Sequence, residues 1–156
     1  QAIIFLQKAL SNCDIVIGAI KATNGRSPCI VSEETVSTMK PNSIIIDVSI
    51  DQGGCFETSR VTDHTEPVFR KYDVIHYCVP NIASRVSRTA TYALTNIITP
   101  IIVEIGDIGG IMNLIWERPG VRNAIYLYQG SLTNKDLAER FNIPFKDLEL
   151  LVAATR

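Results

Sequence analysis

The chain predicts an α/β fold: a parallel sheet over its first half, then a mostly helical segment. Three observations carry this. Ile44 to Ile46 is a run of branched apolar residues bounded by turn signals, the Gly53-Gly54 pair among them. That is the pattern of a strand buried on both faces, as in a parallel sheet. Two more strand candidates flank it, Cys13 to Ile20 and Val74 to Val79, with a short helix between the first two. Strand, helix, strand at this spacing is a βαβ unit, which requires parallel pairing and a right-handed crossover. The strands also end in polar groups: Asp47, Asp51 and Gln52 after one, Asn81 after the next. Ligands of open α/β sheets sit just outside such carboxyl ends, so one rim is a candidate site.

The elements follow in order. Gln1 to Leu10 reads as the tail of a helix that begins without a cap. The chain is therefore expected to be the later part of a longer protein or a processed fragment. Cys13 to Ile20 is the first strand. Lys21 to Pro28 is a polar loop with an Asn24-Gly25 turn signal. Ser32 is a natural N-cap for a short helix, Glu33 and Glu34 suit the positive end of its dipole, and Lys40-Pro41 must stop it. Ser43 to Val48 is the second strand, Gln52 to Lys71 a long polar loop, and Val74 to Val79 the third strand. From Arg88 to Glu104 the apolar residues fall at helical spacing (Ala90, Leu94, Ile97, Ile98, Ile101, Ile102), with a kink expected at Pro100. Gly109 to Arg118 reads as a short helix and Val121 to Tyr128 as extended. Asn134 to Phe141 and Phe145 to Ala153 read as helices, Pro144 being tolerated at a helix start.

Composition narrows the function classes. A net charge of −1 removes any bulk electrostatic case for nucleic acid or membrane binding. The apolar stretches fall far short of the ~20 residues of a membrane span, and no signal-peptide pattern is present. At 46% hydrophobic and 20% charged the chain can bury a core. Cys13, Cys29, Cys55 and Cys78 form no C-x-x-C pair and no ligand set with His64 and His76, so no metal site is expected. Reduced thiols in a cytoplasmic protein are the better reading, with Cys78 as core filler. His76, alternating with apolar neighbours, reads as a satisfied core histidine, and His64, Arg60, Arg85 and Arg88 as surface groups.

Four separated blocks carry a resemblance: Asp47-Val48-Ser49-Ile50-Asp51-Gln52-Gly53-Gly54-Cys55, Glu57-Thr58-Ser59-Arg60, His76-Tyr77-Cys78-Val79-Pro80-Asn81, and Ser87-Arg88-Thr89 with Thr91-Tyr92-Ala93-Leu94-Thr95-Asn96. Their order and spacing resemble alanine dehydrogenases and, at the same spacing, the NAD-binding subunit of proton-translocating transhydrogenases. Asp51 resembles the dehydrogenase form, since the transhydrogenases tend to carry Glu there. The resemblance implies that residues 1–86 are the C-terminal half of a doubly wound, Rossmann-type NAD-binding domain. Residues 87–156 would then be the C-terminal segment of the substrate domain. It implies an NAD-dependent parent that interconverts L-alanine with pyruvate and ammonia, a homo-oligomer whose N-terminal part this chain lacks. The G-x-G-x-x-G turn that seats the pyrophosphate is absent here, so the chain alone is expected to be inactive.

The resemblance further implies Asp51 and Asn81 as catalytic groups. Ile20, Val48, Asp51, Val79 and Ile82 would be the residues against the cofactor. A carboxylate at Asp51 can stabilise the cationic iminium left when hydride departs an amino acid. A bland alternative stands beside each: a turn cap for Asp51, turn backbone for Asn81, strand-end packing for Ile20 and Val79. Asp47 reads as structural, capping or pairing within its loop, and the Ile stripe from Ile97 to Ile105 as core or subunit interface. Two other readings remain open, a transhydrogenase subunit and a non-catalytic interaction module. In the doubly wound order 3-2-1-4-5-6, Cys13 to Ile20 would be the fourth strand, its partner lying in the absent half. That leaves an unblunted edge unless the N-terminal helix covers it.

Overall fold

The computed structural model describes residues 2–21 and 25–154. Asn24 of the expected Asn-Gly turn and Gln1 of the first helix lie outside the described residues. The chain divides into two compact units, Gln1–Arg85 and Val86–Arg156.

The first unit is built on a four-stranded sheet of β1 (Ile15–Gly18), β2 (Ile44–Asp47), β3 (Val68–Lys71) and β4 (Val74–Tyr77), in the order β1-β2-β4-β3. The first three in that order are parallel: Ile15 lies opposite Ile44, and Ile45 opposite His76. Helices α1 (Ala2–Leu10) and α2 (Glu33–Ser37) join β1 and β2 in one core. Leu10, Val36, Met39, Ile45, Phe56 and Val74 are buried together there, with Leu6 and Val16 against them. Ser32 caps α2 as expected: its Oγ accepts the Thr35 N–H at 3.3 Å, and the helix ends before Lys40-Pro41.

Three expectations change. The strand around Ile45 is buried fully on one face alone. Ile45 is 0% exposed, whereas Ile44 and Ile46 are half-buried and their neighbours Ile15 and Ile17 on β1 are 59% and 64% exposed. Within the unit, α1 and α2 pack on one side of the sheet, so alternate residues of β1 and β2 have different fates. The loop Gln52 to Lys71 is not all loop. Its end forms β3, antiparallel to β4, so the sheet is mixed. The two-residue turn between them, Tyr72-Asp73, has φ of 53° and 58°, the left-handed pair that matches hairpin twist. A tyrosine there is unfavourable alone. It is held by Tyr72 Oη donating to Glu33 and by Lys71 Nζ pairing with the same carboxylate at 2.9 Å. The strands are also shorter than the sequence suggests, β1 ending at Gly18 and β4 at Tyr77.

The second unit is mostly helical: α3 (Ser87–Asp107), α4 (Ile111–Glu117), α5 (Pro119–Asn123), a short hairpin of β5 (Leu127–Tyr128) and β6 (Ser131–Leu132), α6 (Lys135–Phe141) and α7 (Leu148–Ala154). Its core joins Ile115, Leu148 and Val152 with Met112, Trp116, Ile125 and Tyr128. α3 runs unbroken through Pro100, and none of its residues is buried: Leu94, Ile97 and Ile102 are each at least 60% exposed. The apolar stripe thus belongs to a surface of this unit, not to its core. Residues 119–123 are helical rather than extended, because Pro119 sits at a helix start, where its fixed φ and missing N–H cost nothing. α7 begins at Leu148, not at Phe145. Asp147 Oδ1 accepts the N–H groups of Glu149 and Leu150 at 2.8 and 3.2 Å, so the cap, not Pro144, sets the start. Asn134 caps α6 through the Leu137 N–H at 2.9 Å. No single helix among the described residues is long and apolar enough to cross a membrane. The pair Ile82–Asp107 and Ile111–Glu117, bent by 114°, reaches that length and composition together.

Candidate functional site at the strand ends

The site is assembled where β1, β2 and β4 end. β2 finishes at Asp47, whose carboxylate is 2% exposed. Oδ1 accepts the Ser49 N–H at 3.0 Å and lies 3.6 Å from Cys55 Sγ. Oδ2 accepts the Cys55 N–H at 2.9 Å and the Ser59 hydroxyl at 2.6 Å. A buried carboxylate without such donors would be prohibitively desolvated. With them it caps the 3₁₀ turn Val48–Gln52 and ties the following loop back to the strand.

That turn places Asp51 at the surface. Ile50, 4% exposed, anchors it from below. Gly53 and Gly54, at φ of 104° and 79°, end it in backbone that side chains rarely adopt. A Cβ at Gly54 would also lie 2.8 Å from Asp47 Oδ2, so the glycine keeps the carboxylate's pocket open. Ser49 links this turn to the end of β1: its Oγ accepts the Ile20 N–H at 2.7 Å and donates to Ile20 O at 3.1 Å. From the end of β4, the Asn81 N–H donates to Asp51 Oδ1 at 2.8 Å. Three strand ends are therefore cross-linked by side chains 29 and 30 residues from their partners in sequence.

The arrangement brings together four of the residues singled out from the sequence. Ile20, Val48 and Asp51 line one cleft of about 330 Å³, with Ala19, Lys21, Ser49 and Gln52. Asn81 joins them through Asp51 and sits at φ 52°. Val79 is 4% exposed and packs in the interior, and Ile82, 37% exposed, opens the short turn after Asn81. Neither lines that cleft. Sequence reading missed Ser49 as the bridge to Ile20, and Cys55 and Ser59 as Asp47 partners. The Asp-x-Ser spacing at 47–49, which suits a side-chain cap onto a backbone N–H two residues on, is the signal that could have found Ser49.

The remaining titratable groups here are structural. Burial, aided by the Asp47 charge, pushes the Cys55 thiol up to about 11, so it stays neutral near pH 7 and is no nucleophile. His76 is 0% exposed. Its Nε2 lies 2.8 Å from Thr58 Oγ1 and its Nδ1 3.1 Å from Val74 O. Phe69 stacks on it at 4.7 Å, under the guanidinium of Arg60. Burial holds its pKa below the ordinary value. His76 is thus the satisfied core histidine that the strand pattern predicts. Among the described residues no group of three or more His, Cys, Asp or Glu side chains could hold a metal.

Comparison with known proteins fits this geometry to a family. The model of the alanine dehydrogenase/PNT C-terminal domain matches residues 4–135. The alanine dehydrogenase of Mycolicibacterium smegmatis is 36% identical over 153 residues, and that of Methanococcus maripaludis 37% over 145. These alignments take in 95% and 92% of this chain but 40% and 39% of the relatives, so the chain spans about two fifths of their length. Among solved structures, an L-alanine dehydrogenase superposes with a TM-score of 0.78 at 31% identity, over 90% of this chain and 38% of that one. A transhydrogenase from Sinorhizobium meliloti gives 0.58 at 23% identity over 67% of this chain and 31% of that one, a likeness of fold alone. The parallel strands with helices packed against them are accordingly of the Rossmann type. With a family model matched over most of its length, the chain belongs to the alanine dehydrogenase/PNT C-terminal domain family.

Proposed function

We propose that the protein carrying this chain is an NAD-dependent L-alanine dehydrogenase acting in the cytoplasm as a homo-oligomer. Residues 1–86 would supply the second half of its NAD-binding domain and residues 87–156 the end of its substrate domain. The observation that carries the reading is the Asp51–Asn81 hydrogen bond at the carboxyl ends of adjacent parallel strands, beside a cleft walled by Ile20 and Val48. Apolar side chains and a carboxylate lining one cleft fit the nicotinamide end of the dinucleotide. The pyrophosphate turn would come from a part of the protein outside this chain. NAD bound there would supply the hydride acceptor.

The chain's own residues would then act by position and charge. Asp51 holds a carboxylate where the substrate amine develops positive charge, which lowers the barrier to hydride departure. The Asn81 N–H fixes one oxygen of that carboxylate, leaving the other for the substrate amine. Ile20 and Val48 exclude water from one side of the cleft, which strengthens the interaction. Val79 supports the rim from inside, and Ile82 borders it. By itself this chain would be inactive, since it carries only one side of the crevice.

The test is NADH formation at 340 nm by the complete protein with L-alanine, and its reversal with pyruvate and ammonium. Alanine-dependent NADH formation supports the dehydrogenase. Hydride exchange between NAD(H) and an NADP(H)-binding partner, without alanine turnover, would move the assignment to the transhydrogenase branch. Neither activity would leave an interaction module.

A further inference from the structure

We infer that Asp47 is a positioning residue for Asp51: a buried carboxylate that sets where the catalytic one sits. The inference rests on the role proposed for Asp51 above. Asp47 makes no approach to the cleft itself. It is 2% exposed, and both its oxygens are engaged by donors from the segment that follows it. Those donors are spaced along that segment. Ser49 N–H fixes the start of the turn that carries Asp51, and Cys55 N–H fixes the chain just beyond Gly53-Gly54. The turn is therefore clamped at both ends by one side chain. Ser49 passes the constraint to Ile20, and Asp51 passes it to Asn81.

Capping alone would not need this arrangement. A cap satisfies donors at one helix end, whereas here one carboxylate spans the whole loop that displays Asp51. Bonds to an ionised group are shorter and stronger than neutral ones, which suits a clamp on a five-residue turn whose other anchors include the buried Ser49 and Ile50 and the Ser27 N–H to Gln52 O bond at 2.8 Å. Asn in place of Asp47 would keep the size but turn one acceptor into a donor. An N–H₂ group would then face a backbone N–H, and one end of the clamp would open.

The test is a double-mutant cycle in the complete protein. Asp47→Asn is expected to lower kcat about tenfold with the KM for NAD within about twofold. In an Asp51→Asn background the same change is expected to cost less than about twofold, because there is no longer a carboxylate to position. The loss in Tm should be the same in both backgrounds. The Asn81 amide, whose N–H donates to Asp51 Oδ1, should exchange faster in Asp47→Asn, as read by hydrogen exchange. If Asp47→Asn does not fold, Ser59→Ala serves. It removes one donor from Oδ2 and should show the same pattern at about twofold. Equal fold losses in both backgrounds, or an Asn81 amide as protected as in the unsubstituted protein, would overturn the inference. A complete protein without alanine turnover would overturn the functional reading instead, and the Asn81 exchange would still decide whether Asp47 positions Asp51.

Discussion

Gly18 gives the sharpest test of how the rim is built. It is the last residue of β1, and a Cβ added there would lie 2.4 Å from Cys55 Sγ and 2.5 Å from Phe56 Cε2. Carbon atoms rest about 3.5–4.0 Å apart, so each neighbour would have to retreat by about 1 Å. Neither can do so freely: Cys55 and Phe56 are 1% and 4% exposed. Overpacking of this kind costs about 1–3 kcal/mol. Its backbone conformation is open to any residue, so the lower chain entropy of Ala offsets roughly 0.4–1 kcal/mol of that. Gly18→Ala is therefore expected to destabilise by about 1–2 kcal/mol, a fall in Tm of about 4–15 °C for a unit of this size. Thermal unfolding followed by circular dichroism reads it. Adding Cys55→Ala removes the nearer obstacle, so the double variant should be more stable than the sum of the single losses by about 0.5–1.5 kcal/mol. Gly18→Ala as stable as the unsubstituted protein, or strict additivity with Cys55→Ala, would refute the close approach of β1 to the 55–56 loop.

His76 makes stability depend on pH. Its folded pKa is depressed by burial, so below about 6.5 the unfolded chain takes up a proton that the folded chain resists, and stability falls as pH drops through that window. Urea midpoints at pH 7.5 and 5.5 should differ more in the unsubstituted protein than in His76→Gln, and equal differences would contradict the assignment. The isolated chain should self-associate. β1 is an edge strand with Ile15 and Ile17 exposed, α1 packs into the core on the opposite face, and neither Pro nor more than one charge blunts the strand. Light scattering that finds a stable monomer at high concentration would rule this out, and Ile17→Lys should shift the distribution toward monomer.

Much of the fold was legible because burial writes a pattern into sequence. The Ile44 to Ile46 run and the alternation around His76 mark strands, and Ser32 and Asn134 mark helix starts through chemistry that few residues share. β3 left no such mark. Two of its four residues are Arg70 and Lys71, and its turn is Tyr-Asp rather than a glycine pair, stabilised by Glu33 from a distant helix. Within the stretch from Val121 to Tyr128, expected to be extended, residues 121–123 are helical instead, because Pro119 two residues earlier is a good first helical residue. At the site, the meeting of Asp51 with Asn81 was readable from topology, since adjacent parallel strands bring their carboxyl ends to one rim. The cap that Asp47 places on its own loop was also readable, whereas the Ser49–Ile20 bridge and the convergence of Cys55 and Ser59 on Asp47 were not. Side-chain bonds across a loop have no period, and nothing in the spacing of Ser59 or Cys55 reveals that they converge on one carboxylate.

The central claim is that Asp51 carries the chemistry of the rim rather than its architecture. Asp51→Asn in the complete protein tests it most directly, with kcat for alanine-dependent NAD reduction and the Kd for NAD measured side by side. The amide keeps the size and can still accept the Asn81 N–H, but it cannot hold negative charge beside a developing cation. The account predicts a fall in kcat on the order of 10²-fold, shared by kcat/KM, with the Kd for NAD changed by less than about threefold. A variant that keeps near-normal kcat would contradict it and leave Asp51 as a turn residue.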